Sequence, residues 1–227
     1  MKEQIRGVQM ERNSNCWYVN SCEDDCERCT TYVQMKWQME HSGLPEAKQR
    51  PISLYLTEDN SGDKKAFNRL AEIRKNIVEF VSGGKNLYIC SKWTGNGKTS
   101  WAIKMLHTYF HYTAEGNYEN LKGMFVSTPS LLLKLKDFNN PISKTFRNNL
   151  ENVDLVIWDD IAVSGISAYD YTQIFTLIDS RILAEKSNIF TSNQTTVEGF
   201  ANVLGDRLAS RIYYTSEIVE LKGKDMR

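Results

Sequence analysis

Apolar positions along this chain follow two rhythms. From about position 86 onward, short apolar runs alternate with longer stretches whose apolar residues recur every three or four positions. The runs near 87–90, 123–127, 153–158, 187–191 and 216–221 predict strands. The periodic stretches near 98–112, 130–137, 142–150, 169–185, 196–203 and 205–213 predict helices. Strands that alternate with helices predict an α/β fold: a five-stranded, mostly parallel sheet between helices. Upstream, Phe67, Leu70, Ile73, Ile77 and Val81 form one stripe, which predicts a single helix ended by Gly83 and Gly84. Tyr32 to His41 predicts a shorter helix, broken by Ser42-Gly43-Leu44-Pro45. Pro45, Pro51 and Gly62 give the following stretch the look of a linker. The expected division is therefore a small N-terminal unit (1–45), a linker (46–63) and an α/β domain (64–227).

The 227 residues suffice for one sizeable domain and a small appendage. Formal net charge is zero, with 28 basic and 28 acidic residues, so any nucleic-acid contact must use locally segregated charge. No apolar run approaches the ~18 residues of a membrane helix. The first residues, Met1 to Arg6, are not followed by the apolar core of a signal peptide. A cytoplasmic protein is expected, and its cysteines reduced.

Four of the five cysteines crowd together as Cys16, Cys22, Cys26 and Cys29. Thiolates at that density suit a tetrahedral Zn²⁺ site that would hold a small segment together. Cys26-x-x-Cys29 is a common half-site; the other half is irregular, and His41 could replace one thiolate. An iron–sulfur cluster or unligated cysteines are the alternatives.

The densest chemistry follows the first strand of the α/β domain. Ser91-Lys92-Trp93-Thr94-Gly95-Asn96-Gly97-Lys98-Thr99-Ser100 stands between an apolar run and an amphipathic helix, the arrangement of a phosphate-binding P-loop (Walker A). Backbone N–H groups from Thr94 to Ser100 would cradle phosphates, with Lys98 on the β- and γ-phosphates and Thr99 on Mg²⁺. Lys92 departs from the pattern, because the first loop glycine is usual there. Next, Val153-Asp154-Leu155-Val156-Ile157-Trp158-Asp159-Asp160 is an apolar strand ending in two carboxylates, a Walker B pattern. Asp159 would hold Mg²⁺ and Asp160 would polarise the attacking water. Aspartate is a methylene shorter than the more frequent glutamate, so slow hydrolysis is expected. The run from Ser187 to Asn193 is a strand with a polar end, where Asn193 would orient water; such a Thr-Ser-Asn also makes ordinary turns. Finally, Arg207 and Arg211 share a helix face. They read as arginines reaching a neighbour's γ-phosphate, or as a solvated or salt-bridged pair.

Taken in order, Gly95-Asn96-Gly97-Lys98-Thr99, Ile157-Trp158-Asp159-Asp160-Ile161, Phe190-Thr191-Ser192-Asn193 and Gly205 to Arg211 resemble the AAA+ ATPases of bacterial and phage replicative helicase loaders, the DnaC/DnaI type. The stretch Ile174 to Arg181 resembles that family's helix before the sensor strand. The resemblance covers about 65–227, and the cysteine-rich segment is similar in placement to the helicase-binding domain of some loaders. It implies an ATPase with ATP and Mg²⁺ as cofactors, which binds a hexameric replicative helicase and helps place it on single-stranded DNA. It implies Asn193 as sensor 1 and Arg211 as a finger acting in trans within a homo-oligomer, supported by Arg207. A chain ending at Arg227 implies no full C-terminal lid. Lys134, Lys136, Lys144 and Arg147 fall where loaders face single-stranded DNA, though they also read as an ordinary basic surface. Two other readings share the core motifs: an IstB-type transposition helper ATPase, and an adaptor that binds helicase without hydrolysis.

Overall fold

The structure is a computed structural model that describes residues 29–114, 120–135, 140–162 and 165–223. Its centre is one sheet of five strands: β1 (Asn86–Cys90), β2 (Gly123–Ser127), β3 (Leu155–Asp159), β4 (Ser187–Ser192) and β5 (Ser216–Glu220). Every pairing is parallel, and the order across the sheet is β2-β3-β4-β1-β5. All five strands lie where the apolar runs predict them, within two residues at either end.

Alternation within the strands separates two cores. Leu87, Ile89, Leu155, Ile157 and Ile189 point to one face, with Phe67, Leu70, Ile77, Trp101, Met105 and Phe110. Tyr88, Cys90, Val156, Trp158 and Phe190 point to the other, with Ile174, Leu177, Ile178, Phe200 and Leu208. A sheet buried on both faces explains why its strands read as continuous apolar runs. The first face carries α1 (Thr30–His41), α2 (Lys64–Lys75), α3 (Ile77–Ser82) and α4 (Lys98–Tyr112). The second carries α5 (Thr128–Leu135), α6 (Pro141–Asn152), α7 (Ala168–Leu183), α8 (Val197–Leu204) and α9 (Asp206–Thr215).

Two features differ from the sequence expectation. The stripe from Phe67 to Val81 is two helices, because Asn76 leaves helical geometry (φ −107°, ψ 29°). The apolar spacing survives this break, so periodicity alone does not register it. The stretch 30–63 also packs with the α/β core instead of standing apart from it. Met35 and Met39 of α1 are buried in the first core, and Gln38 bonds Asn120 and Lys122. The Ser42 carbonyl accepts from Phe125 N–H on the outer edge of β2, at 2.7 Å. That contact blunts an otherwise unpaired sheet edge. Ile52 and Leu54 pack on the same core, and Lys104 donates to the Ile52 carbonyl. Cys16, Cys22 and Cys26 lie outside the described residues. Cys29 caps α1 by accepting from Tyr32 N–H, and no cluster able to hold a metal occurs among the described residues.

His107 on α4 is buried against the strap formed by residues 45–63, where it meets the Lys48 backbone, and burial pushes its imidazole down to about 4. An unfolded histidine takes its proton near pH 6.5, so between there and pH 4 the unfolded chain binds more protons. Stability is therefore full above that window and falls as pH drops through it, by about 3 kcal/mol from this group. Denaturant unfolding at about pH 7 and about pH 4 should show the loss, and His107→Gln should shrink it. An unchanged pH difference in the variant would refute the assignment.

A second buried group holds the amino-terminal ends of the strands. Arg181 on α7 is fully buried and donates to Asn188 Oδ1 and to the carbonyls of Leu150, Val153 and Ser187. Burial lowers its pKa to about 9, against the pull of Asp154. Asn188 also accepts from Trp158 Nε1 and donates to Asn86. This network lies at the opposite ends of the strands from the loop of Lys98.

Candidate nucleotide-binding site

Strand order brings the site together. β4 lies between β1 and β3, so its carboxyl end sits between the loop that follows β1 and the carboxylates that end β3. Ligands of open parallel sheets bind at such carboxyl edges.

The loop takes its shape from two glycines in left-handed conformation, Gly95 (φ 73°) and Gly97 (φ 94°). Gly97 leads directly into α4, whose first N–H groups and dipole face the loop. Lys92 is exposed and does not have a positive φ, so the position usually held by glycine does not require one here. Lys98 is buried, and its ammonium donates to the Trp93 carbonyl (2.8 Å) and Asn96 Oδ1 (3.4 Å). Burial lowers its pKa, while Asp160 and Asp159 pull it back up. Thr94 is exposed and Ser100 half-buried beside this cradle.

Asn96 faces away from the loop's mouth. Its Nδ2 donates to Ser91 Oγ and to the carbonyls of Leu221 and Gly223. Asp63, just before α2, accepts the N–H groups of Lys222 (2.6 Å) and Gly223 (2.8 Å). The loop is thus tied to the residues after β5, and through them to α2.

On the other side, Thr99 Oγ1 donates to Asp159 Oδ1 at 2.7 Å. Thr191 Oγ1 donates to the same oxygen at 2.8 Å and accepts from Asp160 N–H at 2.9 Å. A hydroxyl and a carboxylate in contact are hard oxygen donors, which fit Mg²⁺. Asp160 is held in left-handed conformation (φ 52°), uncommon for a residue with a side chain. Burial raises its pKa, Asp159 adds to the rise, and Lys98 opposes it.

Thr191 is the residue that motif spacing passes over. The polar strand end points to Asn193, but Asn193 is exposed and makes no hydrogen bond among the described residues. Thr191, two residues earlier and on the buried strand, holds the Asp159 carboxylate and the Asp160 backbone N–H. The signal available in sequence was the position of a small hydroxyl at the carboxyl end of a strand between two motif-bearing strands. Strand order is needed to see it.

Arg207 and Arg211 lie on α9 and both engage α7. The Arg207 guanidinium stands 5.2 Å from the Phe175 ring centroid, and Arg211 Nε donates to Asp179 Oδ1. Of the basic residues between β2 and β3, Lys134 lies over the Phe146 ring, Lys144 is exposed, and Arg147 bonds Glu151 and Gln173. Lys136 lies outside the described residues.

A family model described as "IstB-like ATP binding protein" matches residues 14–227. The chain belongs to the IstB-like ATP-binding family. It is similar to the replicative helicase loader DnaC of Buchnera aphidicola subsp. Baizongia pistaciae, at 29% identity over 145 residues, 61% of this chain and 51% of that protein. It is 26% identical to DnaC of Escherichia coli strain K12 over 155 residues, 64% of this chain and 57% of that one. The IstB-like chain thus aligns with little more than half the length of these curated relatives. A crystal structure of the DnaC helicase loader shares the fold with TM-score 0.61 at 24% identity, covering 74% of this chain and 94% of that one. A crystal structure of DnaI superposes with TM-score 0.60 at 19% identity, covering 78% and 94%. The IstB-like family and the parallel sheet agree with the P-loop AAA+ core expected from the motifs. No helix among the described residues is long and apolar enough to cross a membrane.

Proposed function

We propose that this protein is an ATP-driven loader of a hexameric replicative helicase onto single-stranded DNA. One observation carries the nucleotide chemistry: the Thr99 and Thr191 hydroxyls converge on one carboxylate oxygen of Asp159 beside the Lys98 loop. Thr99 and Asp159 would hold Mg²⁺, which would supply positive charge against the phosphates. Gly95 to Ser100 would bind the phosphates, and Lys98 would lie against the outer ones. Asp160, whose carboxyl binds a proton more readily than an ordinary aspartate, would accept hydrogen from the attacking water. Thr191 would hold Asp159 and Asp160 in their mutual orientation. Asn193 is exposed at the end of β4, where it would meet water or phosphate after the site closes on nucleotide. Arg211, with Arg207, would complete a neighbouring subunit's site, so turnover would require a homo-oligomer.

The loading role is supported by the named relatives, two of them replicative helicase loaders. Lys134, Lys136, Lys144 and Arg147 would contact DNA phosphates without reading sequence. A zinc site at Cys16, Cys22, Cys26 and Cys29, preceding α1, would present the helicase-binding surface; its support is spacing alone. A second reading is a transposition helper, favoured by the family model's name.

The test is capture of purified replicative helicase by the full chain, with ATP, with ADP and without nucleotide. ATP-dependent capture is the expected result. Capture of a transposase with no binding to helicase would establish the second reading.

A further inference from the structure

We infer that Asp179 is a positioning residue for Arg211, and that α7 as a whole is the platform aiming the arginines of α9. This rests on the reading of Arg211 as a finger acting in trans. The observation is a matched ladder. Phe175 and Asp179 are four apart on α7; Arg207 and Arg211 are four apart on α9. Residues at that spacing share a helix face. The rungs pair in order, Phe175 under Arg207 and Asp179 against Arg211.

The second rung has a particular chemistry. Asp179 takes the Nε–H of Arg211, and among the described residues no other group bonds that guanidinium. A guanidinium held at Nε keeps both terminal amino groups for a bidentate contact with phosphate. The arginine side chain is 39% exposed and the aspartate 21% exposed, so the held group faces outward from a more enclosed anchor. An ion pair serving stability alone has no need to leave the fork open. At a surface of this exposure, such a pair also contributes little to folding. Holding one edge reduces the rotamers that must be frozen when phosphate arrives, and fixes the direction of approach. Phe175 does the same for Arg207 through the face of its ring.

Motif spacing shows the arginines but not the aspartate. Asp179 lies in the stretch Ile174 to Arg181, which resembles a family helix as a whole but gives no role to this carboxylate.

The experiment measures ATP hydrolysis by the full chain over a series of protein concentrations, with Asp179→Asn, Asp179→Glu, Arg211→Ala, Arg211→Lys and the double variant Asp179→Asn/Arg211→Ala. Asp179→Asn should lower kcat by about tenfold while KM for ATP stays within about twofold, since nucleotide is bound by the other subunit's loop. Asp179→Glu should recover most of the lost kcat. The double variant should match Arg211→Ala, because the two residues act as a unit. Arg211→Lys, which keeps a cation beside Asp179 but has no second edge, should be as slow as Arg211→Ala and tests the open fork even if Asp179→Asn folds poorly. Normal kcat in Asp179→Asn alongside a slow Arg211→Ala would overturn the inference and leave the finger standing. A double variant slower than Arg211→Ala would make Asp179 a structural residue and overturn it too. Normal turnover in Arg211→Ala would remove the finger itself.

Discussion

Lys98→Ala should weaken ATP binding by a factor of about 30 to several thousand, corresponding to about 2–5 kcal/mol for removing one partner of a buried charge contact. The structure explains why the loss should be so large. The Lys98 ammonium is buried, it is held by the Trp93 carbonyl and Asn96 Oδ1, and burial already works against its charge. Triphosphate brings the negative charge that such a group lacks. Alanine would leave Gly95, Gly97 and the start of α4 in place, so the cradle would persist without its cation. Titration with a fluorescent ATP analogue measures the effect. Affinity within about threefold of the unchanged protein would refute the assignment of the loop.

The second large effect is expected at Asp160. Asp160→Asn should leave ATP binding nearly intact and slow hydrolysis by about 10²- to 10⁴-fold, the range for removing a general base. Asparagine suits this test structurally. Asp160 sits at φ 52°, and asparagine adopts that conformation as readily as aspartate. The N–H that donates to Thr191 is unchanged, so Asp159 keeps its partners. What disappears is the ability to accept a proton from water. Single-turnover hydrolysis with bound ATP separates this from weakened binding. Near-normal turnover would show that another group takes the proton, and would move Asp160 into a structural role.

These expectations concern groups that stand on motifs, and the motifs were the legible part of the site. The P-loop and the acidic strand end are contiguous in sequence, because each serves one local backbone shape: a turn into a helix, or a strand running out of the core. The distance between Thr99 and Asp159 is not contiguous, yet it followed from recognising both. Thr191 was illegible because its importance depends on which strand lies between β1 and β3. Nothing local distinguishes it from Thr195 or Thr196 a few residues on. The Asn96 tether was hidden for the same reason. Asparagine in a phosphate loop reads as a loop residue, whereas its partners are carbonyls beyond β5.

The strap before α2 shows the opposite failure. Proline and glycine at 45, 51 and 62 predicted a linker, and that composition does describe its backbone. Its fate was decided by Ile52 and Leu54, which pack against the first core. A segment without regular structure carries no periodicity, so its buried positions leave no pattern to read.

The sequence by itself determined the five strands, their alternation with helices, the phosphate-binding loop, the acidic strand end and the family resemblance. Those properties depend on residues near one another in the chain, where apolar spacing and glycine placement dictate local geometry. The tertiary structure alone decided the strand order, and with it the meeting of Thr99, Asp159 and Thr191. It also decided that α1 and the strap join the core, and that Arg207 and Arg211 rest on α7. Those are packing outcomes. They depend on which surfaces are complementary once the chain has folded, and no spacing along the chain encodes that directly.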